Sequence, residues 1–175
     1  VLGVALVNMH VLNPGQWLTW LAFFASLVTG FAYLVALNGR PEAEAAARAA
    51  FRVQFGALVA SVAFLWYVLF THQYQYQYVA SYSSRTMPWY YVYSALWGGQ
   101  EGTFVMWGMF SALLGMVLMR WKHPLQAPSM FFLNLPLILL ALVSVMRGPF
   151  MTFPAGQVTA DGQGLTPLLQ DWRMT

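Results

Sequence analysis

The stretch that decides the fold is WLTWLAFFASLVTGFAYLVAL, residues 17–37. A helix rises about 1.5 Å per residue, so about 20 apolar residues are needed to cross the ~30 Å hydrocarbon core of a bilayer. Residues 17–37 meet that length with no Asp, Glu, Lys or Arg among them. No Lys or Arg precedes residue 40, and the run is too long for a signal-peptide core. We read it as a transmembrane span rather than a cleaved leader.

The rest of the chain has the same character. It is 59% hydrophobic and 7% charged, against roughly 25% charged residues in a soluble domain. Three further spans are expected at about 53–70, 103–119 and 128–146; the second and third are slightly short, which favours packing in a bundle. The expected fold is an all-α integral membrane protein: four transmembrane helices with an interfacial aromatic helix and outer loops. Its parts are an N-terminal segment 1–16 (1–12 being too short to cross), a four-span domain 17–147 and an incomplete outer-face loop 148–175. With Val1 first and a polar loop last, we expect a piece of a longer membrane protein.

Arg40, Arg48 and Arg52 lie between spans one and two, and Arg120 and Lys122 between spans three and four. By the positive-inside rule these loops are cytoplasmic, and the N-terminus, 71–102 and 148–175 face outside. Glu42, Glu44 and the alanines up to Ala50 predict a short helix leading into span two. Small residues four apart, at Ala22/Ser26/Gly30, Gly56/Ala60, Gly108/Ala112 and Ser111/Gly115, mark faces where helices approach closely. Pro136 should kink span four near Phe132, with Asn134 satisfying part of what is freed.

Eight of the nine tyrosines fall between Tyr67 and Tyr93, on the proposed outer side. A membrane-interface belt accounts for part of this, because tyrosine rings are apolar and their tips wet. Within it, Gln73-Tyr74-Gln75-Tyr76-Gln77-Tyr78 alternates strictly, a strand signature with tyrosines on one face. Such a segment would cover a flat aromatic ligand or extend a partner's sheet. Thr86 is placed to cap a helix with Pro88 in its first turn, so 89–97 reads as an interfacial helix.

That helix runs into Trp97-Gly98-Gly99-Gln100-Glu101-Gly102. A carboxylate beside a membrane-length segment is costly and marks a candidate functional site. Glu101 has a structural reading too: it sits just before span three, where a carboxylate favours the helix dipole, with Thr103 as cap. The glycines would serve a sharp bend. His10, His72 and His123 share no metal-ligand spacing, so no metal site is expected. With no cysteine, the chain offers no thiol chemistry of its own. The scattered basic residues make no nucleic-acid patch.

Tyr78-Val79-Ala80-Ser81, then Met87-Pro88-Trp89-Tyr90, then Ala95 to Gly102 resemble the CcmF-type cytochrome c haem lyases and their nitrite-reductase paralogues. A second match is Gly164-Leu165-Thr166-Pro167-Leu168-Leu169-Gln170-Asp171. The motif residues carried over are Trp97, Gly98, Gly99, Gln100, Glu101 and Gly102, with Pro167, Leu168, Leu169, Gln170 and Asp171. The resemblance implies the N-terminal part of a multi-pass protein of the bacterial inner membrane, with its motif loops on the periplasmic side. It also implies haem as cofactor or cargo, received from a haem chaperone and joined to apocytochrome c thiols, alongside other maturation-complex subunits and membrane lipid. The family's haem-ligating histidines and catalytic residues fall outside this chain, and none of its three histidines matches them. Gln100 stands where many members have histidine, Thr103 where serine is usual, Thr166 where asparagine is usual, and Gln73 near a common aspartate.

The expected function is therefore part of a cytochrome c-type biogenesis protein, a haem lyase subunit. Arg85, Arg147 and Arg173, with Trp89 and Tyr90, are the candidate haem-propionate or partner contacts. A membrane permease or ion-translocating subunit is the alternative, with Glu101 as its ion site. A structural subunit that holds partners through the tyrosine-rich surface is a third.

Overall fold

The computed structural model describes residues 13–40, 42–121, 123–154, 158 and 160–166. Among the described residues, four helices are long and apolar enough to cross a membrane: α1 (Pro14–Leu37), α2 (Glu42–Phe70), α5 (Gln100–Leu118) and α6 (Gln126–Arg147). Two short helices, α3 (Gln77–Tyr82) and α4 (Trp89–Ser94), lie between α2 and α5, and a 3₁₀ turn (Ala95–Trp97) follows α4. The protein is an all-α membrane protein, as its apolar runs predict.

The first two long helices start for local reasons. Asn13 and Gln16 form a capping box, Gln16 N donating to Asn13 Oδ1 at 3.0 Å and Asn13 N to Gln16 Oε1 at 3.3 Å. With Pro14 in the first turn, this carries α1 three residues beyond the expected start at 17. Gly39 takes φ +90°, the left-handed backbone that favours glycine, just past the helix end. The acidic first turn of α2 complements the helix dipole. The helix expected at 42–50 proves continuous with span two: 29 residues, about 44 Å, exceed the ~30 Å core.

The four long helices close a ring in which α1 and α5 each pack on both α2 and α6. Tyr33, Phe51, Leu58, Ala112, Met130 and Leu137 fill the interior. The small-residue faces at Ala22/Ser26/Gly30 and Gly108/Ala112 are buried, as is Gly115, although Ser111 is half-exposed. A Cβ on Gly115 would strike the Phe51 ring, so this glycine exists to admit the phenylalanine. The Gly56/Ala60 face is a correction: Gly56 is exposed, with nothing within 4 Å of a Cβ position. Phe51, Gln54, Leu58, Ser61 and Leu65 set the inward face of α2, and position 56 falls on the other side. α6 runs through Pro136 without ending. Asn134 does not serve the freed carbonyl; its Nδ2 donates to Ser26 O on α1 at 2.8 Å.

The ends alternate as the charge pattern requires. Arg48 joins α2 to the α5–α6 turn through Gln126 Oε1 (2.7 Å) and Met119 O (3.4 Å), and pairs with Glu44 (2.6 Å). At the opposite end a second apolar cluster, including Leu65, Leu69, Tyr76, Tyr78, Leu96, Phe150 and Leu165, forms a cap over the bundle. The segment after α6 is strapped across that cap. Asn13 Nδ2 donates to Phe150 O (2.7 Å), Gln77 N to Met151 O (2.9 Å), Phe153 N to Gln75 O (3.1 Å) and Gln163 N to Ala80 O (2.7 Å).

The strand expected at 73–78 does not form; one isolated bridge joins Tyr76 to Thr152, and Gln77 opens α3. The alternation survives in burial, with Tyr74 and Tyr76 inward and Gln75 exposed. These rings pack into the protein's own cap, leaving them no free face for a flat ligand or a partner's sheet. Thr86 caps nothing: its hydroxyl lies 3.2 Å from Ser84 Oγ, and α4 begins at Trp89 after Pro88 with no side-chain cap.

Candidate functional site

The motif from Trp97 to Gly102 joins the 3₁₀ turn to α5 and lies against α3. Its centre is the hydroxyl of Tyr78. That group donates to Ala95 O and Leu96 O, both at 2.9 Å, and accepts from Gly99 N at 3.2 Å. Burial, above all, raises the Tyr78 hydroxyl pKa well over its ordinary value, and the Glu101 carboxylate pushes the same way. The hydroxyl therefore stays protonated and able to donate.

The glycines are there for close approach rather than for a bend. Gly98 is in ordinary helical backbone (φ −65°, ψ −24°) and Gly99 is extended (φ −127°, ψ 163°). A Cβ on Gly98 would lie 2.9 Å from Leu165 Cδ2. One on Gly99 would lie 2.6 Å from Tyr82 Cζ, and one on Gly102 would meet Leu96 O and the Tyr78 hydroxyl. The backbone has been pressed onto two tyrosine rings. Gly99 is the N-cap of α5, so the capping expected of Thr103 is corrected: its Oγ donates to Gly99 O at 2.8 Å from within the helix.

Glu101 lies inside the first turn of α5. Its Oε2 is buried without a hydrogen-bond partner among the described residues. Its charge raises the Tyr82 hydroxyl pKa, after the larger effect of burial. Trp66 Nε1 is likewise buried and unpartnered, while its ring stacks on Tyr93 (5.1 Å, 20°), which meets Trp97 edge-on (5.7 Å, 87°).

A second polar group, which the residue spacing did not reveal, ties the strap to the cap. Asp161 Oδ1 accepts from Gly162 N (2.8 Å) and Arg85 N (3.1 Å). Those two backbone donors, with the Tyr74 hydroxyl, hold its carboxyl below the usual range. The Tyr74 hydroxyl lies 3.4 Å from His72 Nδ1, which is 3.2 Å from Ser83 Oγ. His72 has φ +50°, an uncommon backbone for a non-glycine residue, at the turn leaving α2. Asp161 is 83 positions beyond Tyr78 in sequence, and only the folded strap brings it in.

The other expected site residues spread over the same end. Arg85 is exposed, its guanidinium 5.8 Å from the Tyr74 ring centre. Arg147 is exposed in the last turn of α6, and Trp89 and Tyr90 are 72% and 51% exposed. Gln100 is exposed. Arg173 and the motif residues Pro167, Leu168, Leu169, Gln170 and Asp171 lie outside the described residues, as does His10. His123 is at the opposite end, stacked on Trp121 (4.6 Å, 10°). No group of three His, Cys, Asp or Glu suited to a metal occurs among the described residues.

The bundle and its cap define a class: a multi-pass membrane protein with a fixed aromatic platform built at one end around a glycine-rich elbow. The two stretches that carried the family resemblance touch there, Leu165 of the second packing where a Cβ of Gly98 in the first would stand. In sequence, the chain is similar to part of the CcmF/NrfE cytochrome c-type biogenesis proteins. It is 33% identical to cytochrome c-type biogenesis protein CcmF of Pseudomonas fluorescens over 67% of this chain and 18% of the relative. It is 33% identical to CcmF of Haemophilus influenzae over 67% of this chain and 19% of the relative. Against the probable cytochrome c-type biogenesis protein NrfE of Escherichia coli it is 27% identical over 67% of this chain and 22% of the relative. The chain thus spans about a fifth of the length of these relatives. No family model and no solved structure matches it.

Proposed function

We propose that this chain is the N-terminal membrane part of a cytochrome c haem lyase. The whole protein would take haem from a haem chaperone and join its vinyl groups to the two thiols of an apocytochrome c. The observation that carries this is the similarity to the CcmF and NrfE proteins over two thirds of the chain. This chain brings no cysteine of its own, in keeping with thiols supplied by the substrate. Haem is cargo on this reading. Tyr74, Tyr76 and Tyr78 are packed in the cap and offer it no face. The part played by this chain is to hold a rigid platform beside the haem-handling remainder of the protein.

The arginine-rich end faces the cytoplasm and the tyrosine-rich cap faces the periplasm, by the bias of Lys and Arg between the two ends. Arg85 and Arg147, exposed at the cap end, with Arg173, then pair with haem propionates or with a partner's carboxylates. Trp89 and Tyr90 seat the cap at the membrane surface or on a partner. A permease reading is weaker. Such proteins place ionisable groups near the midplane in broken helices, and here 53–70, 102–118 and 126–146 contain no Asp, Glu, Lys or Arg.

The test is complementation of a strain lacking the parent gene, scored by haem-stained holocytochrome c and by membrane level of the protein. Replacing Arg85, Arg147 and Arg173 together with Gln in the full-length protein should lower holocytochrome at an unchanged protein level; full yield would refute their role. Glu101→Gln should do the same. A fall in protein level alone would assign Glu101 to helix stability. Growth without any holocytochrome defect in the null strain would refute the function.

A further inference from the structure

We propose that the recess between α5 and α6 at the arginine-rich end holds one anionic phospholipid, its phosphate on Arg120 and an acyl chain along the two helices. The recess is a groove open to the outside of the bundle, with a volume of about 880 Å³, comparable to the ~300–1,000 Å³ of ligand sites. Leu114, Val117, Phe132, Leu133 and Pro136 wall it, and Arg120 and Trp121 stand at its mouth. It exists because the helices close tightly only on the inner side, where Leu133 Cδ2 would be 3.1 Å from a Cβ on Gly115. On the outward side Leu114 and Phe132 stand apart, 60% and 66% exposed.

Charge decides the occupant. Arg48 is committed inward, to Glu44, Gln126 and Met119 O, and so clamps the base of the α5–α6 turn. Arg120 is exposed and makes no ion pair among the described residues. Lys122 follows it in sequence. Trp121, stacked on His123, sets an amphipathic ring at the level where headgroups lie. Basic pockets between transmembrane helices on the cytoplasmic side are recurrent sites for anionic headgroups. The exposed apolar face runs on past the recess, through Trp107 and Phe110 on α5 and Leu139 and Met146 on α6; only the end at Arg120 carries the charge that selects an anionic headgroup.

The experiment is native mass spectrometry of the full-length protein in detergent. The protein is delipidated and then offered phosphatidylglycerol or phosphatidylcholine at equal concentration. One phosphatidylglycerol should be retained, at least tenfold more than phosphatidylcholine. Arg120→Gln should abolish that preference, Arg120→Lys should keep most of it, and Arg40→Gln at the same end should leave it unchanged. Equal retention of the two lipids, or an unaltered preference in Arg120→Gln, would overturn the proposal. So would a photo-cross-linker at position 114 that captures another segment of the parent protein instead of lipid.

Discussion

Tyr78→Phe isolates the contact that organises the elbow. The ring stays, with its packing on Tyr82 at 4.7 Å, and only the hydroxyl is lost. Ala95 O still accepts from Gly98 N at 3.2 Å. Gly99 N and Leu96 O lose the Tyr78 partner inside a buried cap. An abandoned buried donor or acceptor costs about 1–3 kcal/mol, so a loss near 2 kcal/mol is expected. Because the hydroxyl joins α3 to the start of α5, the cost should appear as local opening of the cap, with the bundle untouched. A change of about 2 kcal/mol is a roughly 30-fold change in an opening equilibrium. Amide hydrogen exchange followed by mass spectrometry, on the full-length protein in detergent, should show peptides over 95–103 exchanging about 30-fold faster. Peptides over 17–37 and 126–146 should keep their rates. Unchanged exchange at 95–103, or acceleration spread evenly over the long helices, would refute the hydroxyl as the organising contact.

Three other perturbations test the rest of the structure. Gly115→Ala puts a methyl group into the Phe51 ring, at an overpacking cost of about 1–3 kcal/mol; it should lower the thermal midpoint of the detergent-solubilised full-length protein, and Phe51→Leu should recover most of the loss. Gln54 is fully buried with both amide atoms unpartnered among the described residues. Since an unsatisfied buried group costs about 1–3 kcal/mol, Gln54→Leu should hold or raise that midpoint, and a clear drop would mean that water or another segment bonds the amide. Asp161 has its carboxyl pKa lowered by the Arg85 and Gly162 backbone donors and the Tyr74 hydroxyl. Its contribution is thus complete above the unfolded value of about 4 and lost as pH falls through the still lower folded value. Proteolysis of the 158–166 strap by an acid-active protease should therefore be slow at pH 5 and accelerate below pH 4, and Asp161→Asn should flatten that dependence.

The spans were legible because the membrane imposes its condition on each segment alone. Length without charge is a local property, and residues 17–37 satisfy it whatever the rest of the chain does. The inward faces were legible only in part. Spacing by four finds small residues, yet it cannot tell which side of a helix meets a neighbour. Ser26 and Gly30 meet Asn134 of α6 and Ala22 is buried with them, while Gly56 faces away from every neighbour. That difference is set by the phase of Phe51, Leu58 and Leu65 on the same helix, the larger residues deciding which side is inside.

At the elbow, the motif named the right residues for a reason other than the one its composition offers. Consecutive glycines before a helix read as backbone freedom, but Gly98 and Gly99 use backbone that any residue adopts. What they concede is volume, to Leu165 and Tyr82. The alternating Gln-Tyr run carries the other half of the same fact. Alternation marks a strand only where a neighbouring strand can bond it, and here the strap offers a single bridge at Thr152. The chain turns into α3 instead, and that turn swings Tyr78 and Tyr82 onto the glycines. The tyrosines and the glycines, some 20 residues apart, are therefore one feature. Enlarging either side should disturb the other, so a glycine substitution here and loss of the Tyr78 hydroxyl should share one exchange signature over 95–103.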